Sequence, residues 1–280
     1  MISRRKFIQD TLAVSALSMV LPSKLFASET GKEIGIQLYT LRNLVEEDFE
    51  GTLRKLARIG YKTIEAAGYN NGKFYGFEPQ TYRRKLEDLG LIPLSSHSSV
   101  SPENIQKTIV DTLKAGMQYL VLPFIPQEKR QSLDDYKRLA DELNKMGMMC
   151  KKAGLIFGYH NHDFEFHKKD NQVPFDLLLE NTDPDYVTME LDIYWMRFAR
   201  KDPIDYFERY PGRFSLWHVK DMADSPDKQT TEIGSGVIGF PTLFASAEQA
   251  GLKHYFVEQE TFTIDPIQSV AQSFNYLNSL

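Results

Sequence analysis

Leu155-Ile-Phe-Gly-Tyr-His-Asn-His-Asp-Phe-Glu-Phe166 is the stretch whose reading decides the fold. It opens as an apolar run short enough for a buried strand and ends abruptly in His160, Asn161 and His162. A strand that runs into two imidazoles and an amide has the form of one delivering ligands at the rim of a barrel. The plainer alternative is one packed histidine and one solvated histidine. The remainder of the chain decides between them.

Outward from this stretch, short apolar runs alternate with amphipathic segments. Glu33–Tyr39, Lys62–Ala66, Leu91–His97 and Tyr119–Pro123 read as strands one to four. Tyr186–Asp192, Arg213–Val219 and His254–Glu258 follow the opening stretch as strands six to eight. Helices are expected over Val45–Ile59, Pro79–Leu89, Ser101–Ala115, Gln131–Ala153, Phe175–Glu180, Pro203–Tyr210, Phe240–Ala250 and Asp265–Leu277, several stopped by glycine. Ser101 reads as an N-cap with Pro102 at the first helical position. Eight strand–helix units in this length predict a single-domain α/β (β/α)8 TIM barrel over residues 28–280. An open doubly wound sheet is the competing architecture. No Gly-x-Gly-x-x-Gly follows strand one, and Gly234-Ser-Gly-Val-Ile-Gly239 follows a polar loop, so it reads as turn glycines.

Residues 1–27 stand apart. Ser3-Arg4-Arg5-Lys6-Phe7-Ile8-Gln9, an apolar segment over Thr11–Leu21 and Leu25-Phe26-Ala27 resemble a twin-arginine signal with a cleavage site. The expectations are export of the folded chain, a periplasmic location and no stable membrane span after cleavage. An uncleaved anchor is the alternative. From Ser28 onward 29 Lys/Arg face 37 Asp/Glu, a formal net charge of −8, which offers nothing to a phosphate backbone and argues against nucleic acid. The lone cysteine, Cys150, excludes an intrachain disulfide and reads as a packed helix thiol.

Chemistry in such barrels sits at the C-terminal strand ends. Four of the six histidines, His97, His160, His162 and His218, fall at expected strand ends. They are joined there by Glu65, Asp192, Lys220, Asp221, Glu258 and Glu260. Residues two apart share a face, so His160 pairs with His162, His218 with Lys220, Glu258 with Glu260, and Glu190 lies deeper than Asp192 as a supporting partner. Imidazole and carboxylate ligands from strands five to eight suit one divalent Mn, Zn, Co or Fe ion. Such an ion would bind two sugar oxygens and acidify the neighbouring C–H.

These segments, with Gly35-Ile-Gln-Leu-Tyr39, Gly158-Tyr-His-Asn-His162, His218-Val-Lys-Asp221 and Phe256-Val-Glu-Gln-Glu260, resemble the xylose isomerase-like, sugar phosphate isomerase/epimerase superfamily of single-metal TIM barrels. The resemblance runs from about Glu33 to the end. It implies Asp192, His218 and Glu258 as metal ligands, with His160 standing where many members carry a glutamate. It implies Glu65, His97, His162, Trp195 and Lys220 as substrate contacts, and Glu258 or Lys220 as the catalytic base. Trp195 stands where the epimerases carry a histidine, and offers a ring for sugar stacking. The expected reaction is proton abstraction beside a sugar carbonyl, giving isomerisation or epimerisation. The alternatives are elimination of the aglycone from a 3-keto-glycoside, a non-catalytic sugar-binding barrel, and a nuclease, which the acidity and few histidines oppose. A homo-oligomer is possible under this resemblance. Tyr39, Phe124 and Trp217 are aromatic residues placed for either pocket or core.

Overall fold

Strand runs such as Thr63–Ala66, Tyr119–Leu122 and Leu216–Val219 are buried at every residue, because one face meets the barrel interior and the other the surrounding helices. The computed structural model describes residues 33–280; the twin-arginine stretch and its expected cleavage point lie outside the described residues. The barrel strands are β1 (Gly35–Gln37), β2 (Thr63–Ala66), β3 (Ile92–His97), β4 (Tyr119–Leu122), β5 (Ile156–His160), β6 (Val187–Asp192), β7 (Leu216–Val219) and β8 (His254–Val257). All neighbours pair in parallel, and β1 bonds to both β2 and β8, closing the barrel.

Leu94, Tyr119, Val121, Leu216 and Phe256 form a separate apolar cluster inside the lower barrel. Two residues further along their strands, the same inward face carries His218 after Leu216 and Glu258 after Phe256. Register then sets neighbours side by side: His160 with Glu190, and Asp192 with His218. The polar site therefore rests on an apolar plug.

The helices follow the expected amphipathic pattern, with local differences. The segment expected as one helix over Val45–Ile59 breaks at Asp48, whose side chain accepts from Gly51 N–H and starts a new helix, Phe49–Ile59. Ser101 caps nothing; the residues after it form a turn held by Asn104, and the helix begins at Ile105. Leu133–Ala153 opens with a Ser132–Asp135 capping box. Phe240–Ala250 is two short helices divided at Ser246. Among the described residues, elements without a counterpart in the sequence reading include the helix Ile193–Phe198, the hairpin pairing Asp221–Met222 with Thr230–Thr231, and the hairpin pairing Tyr69–Asn70 with Lys73–Phe74. The last turns on Asn71 and Gly72, both at positive φ, the Asn-Gly chemistry of a tight hairpin. Among the described residues no helix is long and apolar enough to cross a membrane. Cys150 is buried.

After β5 the chain turns through Phe164–Phe166 and buries Glu165 completely. Its carboxylate accepts from Tyr159 Oη–H and, at 2.9 Å, from His162 N–H. Burial pushes the carboxyl up to about 7, against the opposing pull of those hydrogen bonds. An unfolded glutamate titrates near ~4.3. Between that pH and about 7 the folded chain keeps a proton that the unfolded chain has lost, so stability falls as pH rises through this window. Glu165→Gln keeps an acceptor without the charge. Thermal melts should show it matching wild type at pH 4 and exceeding it at pH 8 by roughly 1–3 kcal/mol; parallel pH profiles for the two proteins would refute this.

Candidate metal centre

The site has two storeys. On the lower one, Glu65 (β2) and Glu190 (β6), both fully buried, flank the His97 ring at the end of β3. His97 Nε2 donates to Glu190 and lies 3.1 Å from Glu65 Oε2. Burial pulls the His97 imidazole down, but the two carboxylates outweigh it and hold it up at about 9. The same charge pairing brings Glu65 down to about 2, against its burial.

Two imidazoles join this storey to the one above. His218 Nε2 lies 3.0 Å from Glu65 Oε1, and its Nδ1 lies 3.0 Å from Glu258 Oε2. His160 Nδ1 lies 3.1 Å from Glu190 Oε2, while its Nε2 faces Asp192 Oδ2 at 3.8 Å. Burial, with His218 beside it, holds His160 well below the usual imidazole range, so the ring is neutral at neutral pH. With the Nδ1 proton given to Glu190, Nε2 presents a lone pair.

On the upper storey Asp192 is fixed twice. Its backbone N–H donates to Asn161 Oδ1 at 3.1 Å, and its Oδ1 accepts from Trp195 N–H at 2.9 Å as the N-cap of Ile193–Phe198. Asn161 thus points away from the cleft while His160 and His162 line it, with ring centres 5.1 Å apart. Asp192 Oδ2 is buried without a hydrogen-bond donor. Lys220 Nζ lies 3.0 Å from it and 2.7 Å from Glu258 Oε2. The first of these is an ion pair that is not aligned as a hydrogen bond. Lys220 Nζ also donates to Glu260 at 2.8 Å. Burial lowers the lysine, but Asp192, Glu258 and Glu260 reverse that and hold it well above its usual value. An ammonium so held has no lone pair with which to take a proton. Burial alone would raise Glu258, yet Lys220 and His218 keep it well below the usual carboxylate range.

The donor atoms of Asp192, His218 and Glu258 lie within 4.8 Å of one another; His160 falls instead in a neighbouring group with His97, Glu190 and His218. Asp192 Oδ2, whose counter-charge is the unaligned Lys220 ammonium at 3.0 Å, faces the His160 Nε2 lone pair with no proton between them. That arrangement suits a cation. The mixed oxygen and nitrogen donors suit a divalent transition ion. Asp192, His218 and Glu258, with His160 Nε2 beside Asp192, are therefore the residues fit to hold one.

Above these groups opens a cleft of about 870 Å³. His97, His162, Trp195, Lys220 and Glu258 line it, with Tyr39 and Phe124. Glu65 lies beneath it, fully buried, with Ser95, His97 and His218 as its partners. His162 packs against Phe164, stacked at 5.4 Å, and lies 5.8 Å from Trp195. Burial, then the Lys220 charge, brings this ring down to about 3, so it is neutral at neutral pH. Trp217 belongs to the core, stacked on Phe207 at 5.1 Å. Asp221 is equally structural: its carboxylate accepts from the N–H groups of Met222, Gly234, Gly236 and Ile238. A Cβ on Gly236 would stand 2.2 Å from Met222 O, which accounts for glycine in that loop.

Sequence parity placed Glu190 deep in the barrel but not its grip on His97 and His160. The Tyr69–Phe74 hairpin, which puts Tyr69, Asn70, Asn71 and Gly72 on the cleft wall, was signalled only by Asn71-Gly72. Glu260 reaches the cleft through its bond to Lys220.

The xylose isomerase-like TIM barrel model matches residues 53–280. A solved sugar phosphate isomerase/epimerase from Parabacteroides distasonis is 32% identical, with a TM-score of 0.81 over 90% of this chain and 96% of that one. An inosose dehydratase of Lacticaseibacillus casei is 25% identical over 52% of this chain and 55% of its own length. That of Geobacillus kaustophilus is 21% identical over 81% and 86%. The chain thus spans about half the length of the first of these curated relatives and most of the second. With a closed barrel and polar groups gathered at its C-terminal mouth, this chain belongs to the xylose isomerase-like TIM barrel family, a family of enzymes.

Proposed function

We propose that this chain is a divalent-metal-dependent enzyme that removes a proton beside a sugar carbonyl and expels a leaving group, a lyase. Asp192, His218 and Glu258 would hold the ion, with His160 Nε2 beside them. The chemistry it would supply there is Lewis-acid polarisation of the sugar carbonyl and an adjacent oxygen, which would acidify the C–H between them. Glu190 accepts the Nδ1 proton of His160 and Glu65 the Nε2 proton of His218, which fixes both rings with their other nitrogens turned to the upper storey. Glu258 acts as the base. Lys220, held as an ammonium, donates to the departing oxygen and rebalances the charge. Trp195 and the neutral His162 ring supply a sugar-stacking wall.

The observation that favours elimination over epimerisation is the cleft lining: its carboxylates are Glu258 and Glu260, both paired with Lys220, while His160 and His162 line it as neutral rings. Epimerisation by two facing acids needs a second group to return the proton on the other face. The relatives named inosose dehydratase favour the same reading. The relative named sugar phosphate isomerase/epimerase keeps isomerisation as the second reading. The twin-arginine stretch supports export of the folded chain to the periplasm, where free, oxidised or glycosidic sugars are more accessible substrates than sugar phosphates.

The test is incubation with a 3-keto-glycoside and with an inosose in D2O, followed by NMR. Release of the aglycone or of water is expected. Deuterium entering the sugar without release would return the isomerase reading, and neither outcome would leave a binding barrel. Glu190→Gln should weaken divalent-metal affinity by about 10- to 100-fold through the loosened His160 ring; isothermal titration checks this, and an unchanged affinity would remove Glu190 from the account.

A further inference from the structure

Beside the cleft lies a second concavity of about 480 Å³, with Tyr39 and Ala67 common to both. Its walls are Leu38, Val45, Phe49, Tyr75 and Phe77, and Arg42 and Glu46 complete the lining. Phe49 centres the aromatic floor, 5.2 Å from the Tyr75 ring and 5.3 Å from the Phe77 ring. The partition from the cleft is Tyr39, a large ring left 47% exposed. That ring is braced: the Arg42 guanidinium sits 4.6 Å from its centre. Arg42 also donates to the Tyr39 carbonyl at 3.1 Å and the Glu260 carbonyl at 3.2 Å. The wall between the two spaces is therefore tied to the chain beside the Lys220 ion pair.

The two spaces are chemically opposed. The cleft carries imidazole, carboxylate and ammonium groups that match hydroxyls and a carbonyl. The adjoining groove offers mostly apolar and aromatic faces, with one guanidinium and one carboxylate, those of Arg42 and Glu46. Because the two spaces meet at Tyr39 and Ala67, a ligand seated in the cleft has the groove as its nearest extension past the Tyr39 ring. A cavity of about 150 Å³ accepts a benzene ring, so the groove has room for a fused two-ring system. On the sugar-lyase reading above, we propose that this groove binds the planar aromatic aglycone of a glycoside whose oxidised sugar ring lies in the cleft.

The test compares the dissociation constants of a 2-naphthyl and a methyl 3-keto-glucoside by isothermal titration, on metal-loaded protein at a temperature where turnover is negligible. The naphthyl compound should bind at least about 10-fold more tightly, as burial of an aromatic group implies. Phe77→Ala, a half-buried wall residue remote from the metal ligands, should remove most of that advantage and leave the methyl compound unchanged. If Phe77→Ala fails to fold, Phe77→Leu, which keeps an apolar side chain and removes the ring, serves the same comparison. Equal affinities for the two glucosides would overturn the groove assignment while leaving the sugar site standing. A naphthyl advantage that survives both substitutions would also overturn it. If neither glucoside binds, the sugar-site reading falls and this one with it.

Discussion

Everything at the mouth of this barrel depends on how four buried carboxylates are kept in place. Glu65, Glu190, Asp192 and Glu258 all lie within a few ångströms of the His218 and His160 rings, removed from water. Uncompensated carboxylates in such a setting are prohibitive, so each must find a cation or a donor. The lower pair shares His97, lodged between Glu65 and Glu190, and His218 faces both carboxylates as well. The upper pair is approached by Lys220, which leaves one oxygen of Asp192 without a donor. Lower storey and upper storey are linked only through imidazoles that turn one nitrogen each way. A divalent ion on the upper storey would find its histidines already oriented, which is the usual office of carboxylates behind metal-bound imidazoles.

Under the resemblance that puts His160 where many members carry a glutamate, the upper storey would carry one negative charge fewer, and the ring's Nδ1–H donates to Glu190 below. The donor set gains a neutral nitrogen, and the cleft loses a carboxylate on that side. What remains is one acid–base face, built from Glu258, Lys220 and Glu260, opposite an aromatic wall. On the lyase proposal, a site with one active face favours loss of a group over return of a proton.

Much of the architecture was legible in the sequence because the β/α periodicity repeats eight times and glycine stops several of the helices. The inward faces were legible because parity in a strand is strict: Glu258 with Glu260 and His218 with Lys220 do meet around one ammonium. Three kinds of detail were not legible. Helix starts slipped where a local hydrogen bond outcompeted the expected cap, as Asn104 does at Ser101. Short elements between strand and helix, such as Tyr69–Phe74, carry too few residues for any periodicity. Glu65 reads as a cleft residue from its strand position. Its placement beneath His218 and His97 follows from ring positions contributed by two distant strands, which no single stretch encodes. The same holds for Lys220, whose three ion pairs come from β6 and the end of β8.

The central claim is that the upper storey is a metal site, and metal content tests it most directly. Wild-type protein and the Asp192→Asn/Glu258→Gln double variant would be equilibrated with Mn, Co or Zn, freed of loose ions, and measured by mass spectrometry of the metal alongside circular dichroism. The account predicts one divalent ion per folded wild-type chain and none in the folded double variant. A folded wild-type chain that retains no ion, or a double variant that retains it equally well, would contradict the account.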